Sequence, residues 1–475
     1  MVKNRRFEDV EKGPGLGIRH VQILILFCGM TVTYALRVNY SVAIVAMTDE
    51  KEAREGFEKF DWNEQTKSLI LSSFFWGYIF TQLPGGHLAQ RLGAKMFLFF
   101  GIFICSLLTI LTPWCASVGG WKLICGLRLI QGLCQGVLFP CTHALLSKWS
   151  PTEERGVLNT LCYSGCQFGT VAMLAVSGMI ATSPLGWPGI FYVSGAIGIL
   201  WSIVWYIFGA SNPAECRLIS PEERKFIEDS LGHSDDTPKH YPAPWKKILS
   251  SPPFYSLLIV HCCHIWGFWT LLTEIPSYMN KILGMNIKSN ALLSALPYAV
   301  MWLLSYVFCF TADGLLRKKV LTLAVSRRIF NTIGLGLPAL ALIGMGYVTK
   351  ETTSLAITLL VVAVGLNGAI YLGYQVNHID LAPNHAGTLM GMTNGLANIM
   401  GLIAPLAVGF IVTEENNPDQ WRIVFFISGG VYLIGNFVWC IFGSTQVQPW
   451  NAPKHIPHQK VRRESAFIEA MEAHG

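Results

Sequence analysis

Two arginines stand in segments otherwise written for lipid: Arg37, within YALRVNYSVAIV, and Arg128, within RLIQGLCQGVLF. An arginine at the centre of a membrane helix costs about 2.5–3.5 kcal/mol on insertion scales, so it normally faces a protein interior or a water-filled cavity. At 1.5 Å of rise per residue, Arg37 falls roughly 15 Å and Arg128 roughly 9 Å from the outer ends of their antiparallel helices, at comparable depth. Two fixed charges at one depth repel unless an anion or a carboxylate joins them. Guanidinium forks suit carboxylate and phosphate oxygens bidentately. With no obvious buried acid in the first six helices, a carboxylate or phosphate substrate is the expected partner. The competing reading pairs each arginine with helix-end carbonyls or a fixed acid.

Other chemistry-bearing residues sit in the same kind of segment. His261 and His264 share one helix, and a histidine in a cavity can carry a coupling proton or add positive charge for an anion. Their HCCH spacing also resembles a metal site, but no supporting acids accompany it and no metal is expected. Glu274, further out on that helix, is the acid deepest in a span of the second half; it takes a proton or sodium, or closes an outer gate. Asn39, Tyr40, Tyr78, Gln135 and Asn394 offer polar contacts to substrate or to neighbouring helices. At helix ends, Arg91, Lys95, Glu153, Glu154, Arg155, Asp313, Arg317, His378 and Asp380 are placed to form pairs that lock one closed state. No Gly-x-Ser-x-Gly elbow, His-Glu-x-x-His helix, P-loop or catalytic carboxylate pair is present, so an enzyme is not expected.

The elements that must hold these residues are membrane helices. Of 475 residues, 52% are hydrophobic and only 13% charged, against about 25% charged in soluble domains. Apolar runs lie near 20–47, 67–89, 96–117, 121–147, 155–182, 187–210, 253–281, 288–313, 320–347, 353–377, 385–412 and 420–443, each near the length that crosses a bilayer. The prediction is an all-α membrane protein with twelve transmembrane helices. Its parts are a tail over 1–19, a six-helix bundle over 20–210, a linker over 211–252, a second bundle over 253–443 and a tail over 444–475. The net charge of +6 reports orientation rather than nucleic-acid binding: basic residues concentrate at 91–95, 211–251 and 317–328, which puts both termini and the linker in the cytoplasm. The apolar run from Val21 has no small-residue cleavage pattern, so the first helix is expected to be retained. In the linker, Ser220 and Glu223 have capping-box spacing. The cysteines fall mostly in apolar runs and are expected to pack rather than pair.

The halves repeat. WPGIFYVSGAIG (187–198) aligns with WRIVFFISGGVY (421–432), and GGHLAQRLGAK (85–95) with TADGLLRKK (311–319), at equivalent places. Two parallel six-helix repeats are the pattern of the major facilitator fold, in which a central cleft is exposed alternately to each side. GHLAQRLGAK (86–95) resembles that superfamily's signature between helices 2 and 3, with Gln90 where an Asp is usual. SSFFWGYIFTQLPGGHLA (72–89), RLIQGLCQGVLFPCTHALLSKWSP (128–151), NHIDLAP (377–383) and FGSTQVQPW (442–450) resemble the anion:cation symporter family. That family includes sodium–phosphate cotransporters, sialin, vesicular glutamate transporters and insect proteins grouped as inorganic phosphate cotransporters. The resemblance implies that Arg37 and Arg128 match basic residues used for anionic substrates. Gln135 replaces an acid that several members carry, and Leu71 and His264 replace the glutamate transporters' helix 2 histidine and helix 7 arginine. The expected function is secondary active transport of inorganic phosphate or an organic anion with sodium or a proton, by a monomer without cofactor. The membrane is the plasma membrane or a lysosomal or vesicular one. A non-transporting anion sensor is the alternative.

Overall fold

The computed structural model describes residues 15–48, 57–62, 64–231, 242–282, 287–414 and 416–451. Its first half comprises α1 (Ile18–Thr48), α2 (Glu64–Leu92), α3 (Ala94–Gly136), α4 (Leu138–Trp149), α5 (Arg155–Thr182) and α6 (Gly186–Phe208). Two short helices, α7 (Pro221–Leu231) and α8 (Trp245–Ile248), lie in the linker. The second half comprises α9 (Pro252–Lys281), α10 (Ile287–Arg317), α11 (Leu323–Asn331), α12 (Leu337–Met345), α13 (Thr353–Gly365), α14 (Tyr374–Leu381), α15 (Ala386–Ile411) and α16 (Pro418–Phe442).

Among the described residues, ten helical stretches are long and apolar enough to cross a membrane. One of them, Ala94–Trp149, is 56 residues long and folds back at Gly120, whose φ of 56° and ψ of −152° suit a residue without a side chain. It therefore crosses twice. The twelfth span is α2, which is less apolar because it is wedged between α3, α4 and the opposite half's α15 rather than facing lipid all round. Two spans are interrupted: a π-helical turn over Thr332–Gly336 joins α11 to α12, and a 3-10 stretch over Leu366–Leu372 joins α13 to α14. Broken spans are tolerated in a membrane where protein covers the irregular backbone, and Asn367 through Leu372 are buried.

The two halves repeat in packing as well as in sequence. In the first, α1 lies against α5 and α6, and the first arm of α3 against α6; in the second, α9 lies against α15 and α16, and α12 against α16. The aligned Ser-Gly pairs explain the last correspondence. A Cβ on Gly195 would come 2.9 Å from the Ser106 carbonyl oxygen, and one on Gly429 would come 3.0 Å from that of Ala339. Each glycine lets the closing helix of its half touch the backbone of that half's third span.

An even number of spans puts both ends of the described chain on one side, here called the terminal face. There the halves are joined. Gly86 of α2 meets Gly387 of α15 so closely that a Cβ on Gly86 would lie 2.3 Å from the Gly387 carbonyl oxygen. Further bonds climb the seam to mid-depth: Asn159 Nδ2 donates to the Tyr371 carbonyl (3.1 Å), Gln167 Nε2 to the Tyr371 hydroxyl (2.6 Å), and Ser164 pairs with Tyr306 (2.7 Å).

The linker departs from its expected capping box. Ser220 Oγ does accept from the Glu223 backbone N–H (3.2 Å), but the Glu223 carboxylate does not turn back to Ser220. It accepts from the backbone N–H groups of Ile18 and Arg19 (2.9 and 3.0 Å) and from Arg19 Nη1 (3.0 Å). The unsatisfied N–H groups and positive end of α1 out-compete a local bond. Glu154 also accepts from the Arg19 fork, through Nε (2.7 Å), and the Glu223 bonds tie α7 to the first bundle.

Candidate functional site

Backbone contact between α2 and the second arm of α3 builds the site. A Cβ on Gly132 would sit 2.0 Å from the Phe74 carbonyl oxygen, so only glycine lets the helices close enough to slide Phe74 between two cations. The Arg37 guanidinium carbon lies 5.0 Å from the Phe74 ring centroid, 4.5 Å from Tyr78 and 4.9 Å from Tyr34. Arg128 lies 4.7 Å from Phe74 and 4.2 Å from Tyr40. Arg37 donates through Nε and Nη2 to Gln135 Oε1, each at 3.3 Å, while Gln135 Nε2 reaches Cys105 Sγ (3.3 Å). Arg128 is 2% exposed, and its Nε and Nη1 have no hydrogen-bond partner. Among the described residues, no Asp or Glu pairs with either arginine.

Magnitudes show what this arrangement needs. Each cation–π contact contributes about 0.5–2 kcal/mol, so two rings under Arg128 return about 1–4 kcal/mol. Each orphaned buried N–H costs about 1–3 kcal/mol, on top of about 2.5–3.5 kcal/mol for the buried charge. Aromatic faces alone leave Arg128 in deficit. An anion offering two oxygens would satisfy both N–H groups and the charge at once.

The site lies at the seam. The Tyr78 hydroxyl accepts from Asn394 Nδ2 of α15 (3.2 Å), and Phe75 meets Trp269 of α9 edge-on at 5.1 Å. Tyr40 presents its ring to Arg128 and gives its hydroxyl to Thr112 (2.7 Å). Asn39, expected among the polar contacts, is directed to α6, where Nδ2 donates to Ser194 Oγ (3.0 Å); two positions beyond Arg37, it sits on another face of α1.

The histidines of HCCH address different partners. His264 Nδ1 bonds the Tyr374 hydroxyl (2.9 Å), its ring lies parallel to Tyr432, and its Nε2 is buried without a partner. His261 Nδ1 bonds Thr393 Oγ1 (3.1 Å). Both are held inside the second half rather than against the arginines. The side chains of Glu274 and Arg91 lie outside the described residues. Asp313 pairs with Arg317 of its own helix (2.9 Å) and, among the described residues, joins nothing across the seam. Asp380 does join the halves: Oδ1 meets Arg155 Nη1 of α5 (3.2 Å) and Oδ2 meets Arg327 Nε of α11 (2.9 Å).

Sequence reasoning missed Phe74 and Tyr34 as aromatic walls, Arg327 as the second partner of Asp380, and His143. Phe74 and Tyr78 are four apart on α2, and Tyr34 and Arg37 three apart on α1, the spacings at which helical side chains share a face. That signal was available. Nothing local pointed to Arg327 or His143.

Comparison with known proteins names the class. The family model described as Major Facilitator Superfamily matches residues 26–405, and the chain belongs to that superfamily. A Drosophila ananassae protein named "Putative inorganic phosphate cotransporter" is 42% identical over 93% of this chain and 96% of its own length. Human sialin is 36% identical over 93% of this chain and 92% of its own, and Xenopus laevis vesicular glutamate transporter 1 is 35% identical over 94% and 78%. Among solved structures, the proton:xylose symporter XylE superposes with a TM-score of 0.66 at 14% identity, covering 90% of this chain and 97% of its own. The E. coli fucose:proton symporter FucP gives 0.62 at 14% identity, covering 87% and 97%.

Proposed function

We propose that this protein is a secondary active transporter that moves inorganic phosphate or an organic anion together with a cation by alternating access, with the anion held between Arg37 and Arg128. The observation that carries this reading is a buried guanidinium with two unpartnered donors beside a second arginine, with no described acid to neutralise either. Relatives matched over most of this chain are named for phosphate and glutamate, which agrees with a site built for oxyanions and favours transport over anion sensing. In this reading the chain acts as a monomer, the coupling ion is sodium or a proton, and the terminal face is cytoplasmic, as the basic residues at 91–95 and 317–319 require.

Reconstitution into liposomes tests it. Labelled phosphate, glutamate and sialic acid are offered under sodium, proton and voltage gradients imposed one at a time. Gradient-driven accumulation of at least one of them, abolished by Arg128→Ala, is the expected result. Normal uptake by Arg128→Ala and Arg37→Ala alike would remove the anion site.

A further inference from the structure

A second polar system crosses the seam, between the arginines and the Asp380 cluster, and the anion site does not use it. The Gln375 carbonyl of α14 accepts from two histidines: His378 Nδ1 at 2.9 Å and His143 Nε2 of α4, in the other half, at 3.2 Å. A carbonyl only accepts, so both nitrogens carry hydrogen. In a neutral ring the remaining nitrogen is then an acceptor. His143 Nδ1 receives the Tyr163 hydroxyl, and His378 Nε2 receives that of Thr393 at 2.7 Å. Thr393 Oγ1 in turn accepts from His261 Nδ1 at 3.1 Å. The ring centroids of His143 and His378 are 5.3 Å apart, and those of His378 and His261 are 5.8 Å apart. The rings are at most 2% exposed. Each of these bonds is made with all three rings neutral.

An added proton has no counter-charge here. Asp380, two residues past His378, has one oxygen on Arg155 and the other on Arg327. The other titratable groups facing the chain are Tyr163 from α5, Tyr374 against His261 at 5.2 Å, and His264 one turn further along α9. From α15 the chain receives the Thr393 hydroxyl. An imidazolium in this position would be buried, unpaired and within 6 Å of another ring that competes for the same charge. Parting the halves breaks the bond from His143 to Gln375, the link that crosses the seam, and admits water to the rings.

We propose that His143, His378 and His261 form a proton-binding site divided between the two halves, one that takes up a proton when the terminal face opens and must release it before that face closes. The site ties proton occupancy to the position of the halves and so makes the opening of the terminal face depend on pH, in a protein whose anion site holds no described acid. It rests on the alternating-access reading but not on the identity of the anion.

The test measures the halves directly, in full-length protein in lipid nanodiscs without substrate. Spin labels carried on non-canonical residues, which spare the 13 native cysteines, replace Leu88 of α2 and Val325 of α11, both exposed near the terminal face. Lowering the pH from 8 to 5.5 is expected to raise the open, long-distance population about threefold. In His143→Gln/His378→Gln the distribution is expected to stay flat. Thr393→Val, which keeps all three rings, is expected to move the midpoint. A wild-type distribution that ignores pH, a double variant that titrates like the wild type, or an unmoved midpoint in Thr393→Val overturns the site. Uptake assays report on the anion independently, so loss of phosphate transport with an intact distance response would sink the substrate reading and leave this one standing.

Discussion

The protein encloses two pairs of arginines, with Arg37 half-buried and the other three buried, and treats the pairs in opposite ways. Arg155 and Arg327, at the terminal face, share the Asp380 carboxylate, with each oxygen committed to one guanidinium. Arg37 and Arg128, near mid-depth, share only the face of Phe74 and have no carboxylate among the described residues. The first pair is neutralised within the protein and fastens one half to the other. The second is stabilised by rings and an amide, groups that hold a cation loosely enough for a solute to compete. Removing one partner of a buried ion pair costs about 3–5 kcal/mol. A fixed acid beside Arg37 would lock the site as firmly as Asp380 locks the seam. Transport needs the weaker arrangement in one place and the stronger in the other.

The sharpest way to break this contrast is to delete one charge from each pair and compare activity with stability. Arg128→Ala should lower uptake about 100-fold or more, because two charge-assisted bonds at about 1.5–3 kcal/mol each are lost. Its melting temperature in detergent should hold or rise, since an unpaired buried cation leaves with it. Asp380→Asn should do the reverse to the fold. Two arginines left facing one amide cost about 3–5 kcal/mol, visible as a lower melting temperature and as labels at the terminal face moving apart. If Arg128→Ala unfolds the protein while Asp380→Asn leaves it unmoved, the roles assigned to the two pairs are wrong.

A smaller change converts one environment into the other. Gln135 Oε1 lies 3.3 Å from both Nε and Nη2 of Arg37, so Gln135→Glu would place a carboxylate where the transported anion competes. At neutral pH, where that group is ionised, KM for anion should rise about tenfold, the equivalent of about 1.4 kcal/mol. Protonating the new acid frees Arg37, so KM should fall again as pH drops through the carboxyl range. A KM that rises equally at every pH would point to altered packing rather than competition for Arg37.

How much of this was legible in the sequence depends on whether the partner was local. Span count, the six-plus-six repeat and the two lone arginines follow from composition and from the lipid cost of a charge, so they could be read without contacts. Asp380 could be read as a seam residue, but Arg327, 53 positions away, could not: the fold decides which acid an arginine meets. Glu223 shows the limit most clearly. The local rule paired it with Ser220, and the tertiary fold handed its carboxylate to Ile18 and Arg19, more than 200 positions away. His143 looked like one polar letter in an apolar span until α14 supplied the Gln375 carbonyl. Gly132 and Gly86 show no reason in the sequence for being glycine, and only a neighbouring backbone reveals why a side chain is forbidden there.

The smallest expected effect comes from a third kind of arginine. Arg317 pairs with Asp313 one turn earlier on α10 at 2.9 Å, a shorter contact than the 3.2 Å between Arg155 and Asp380. Distance alone would rank it the stronger of the two. Its side chain, however, is 71% exposed against 6% for Arg155, and an exposed i,i+4 pair contributes about 0.3–0.5 kcal/mol. Arg317→Ala should therefore change neither uptake nor the distance between labels at the terminal face, and should shift the melting temperature by about a degree or less. A loss comparable to that of Asp380→Asn would mean that charge on the terminal face acts by number rather than by burial, and would remove the reason for treating the Asp380 cluster as the fastening between the halves.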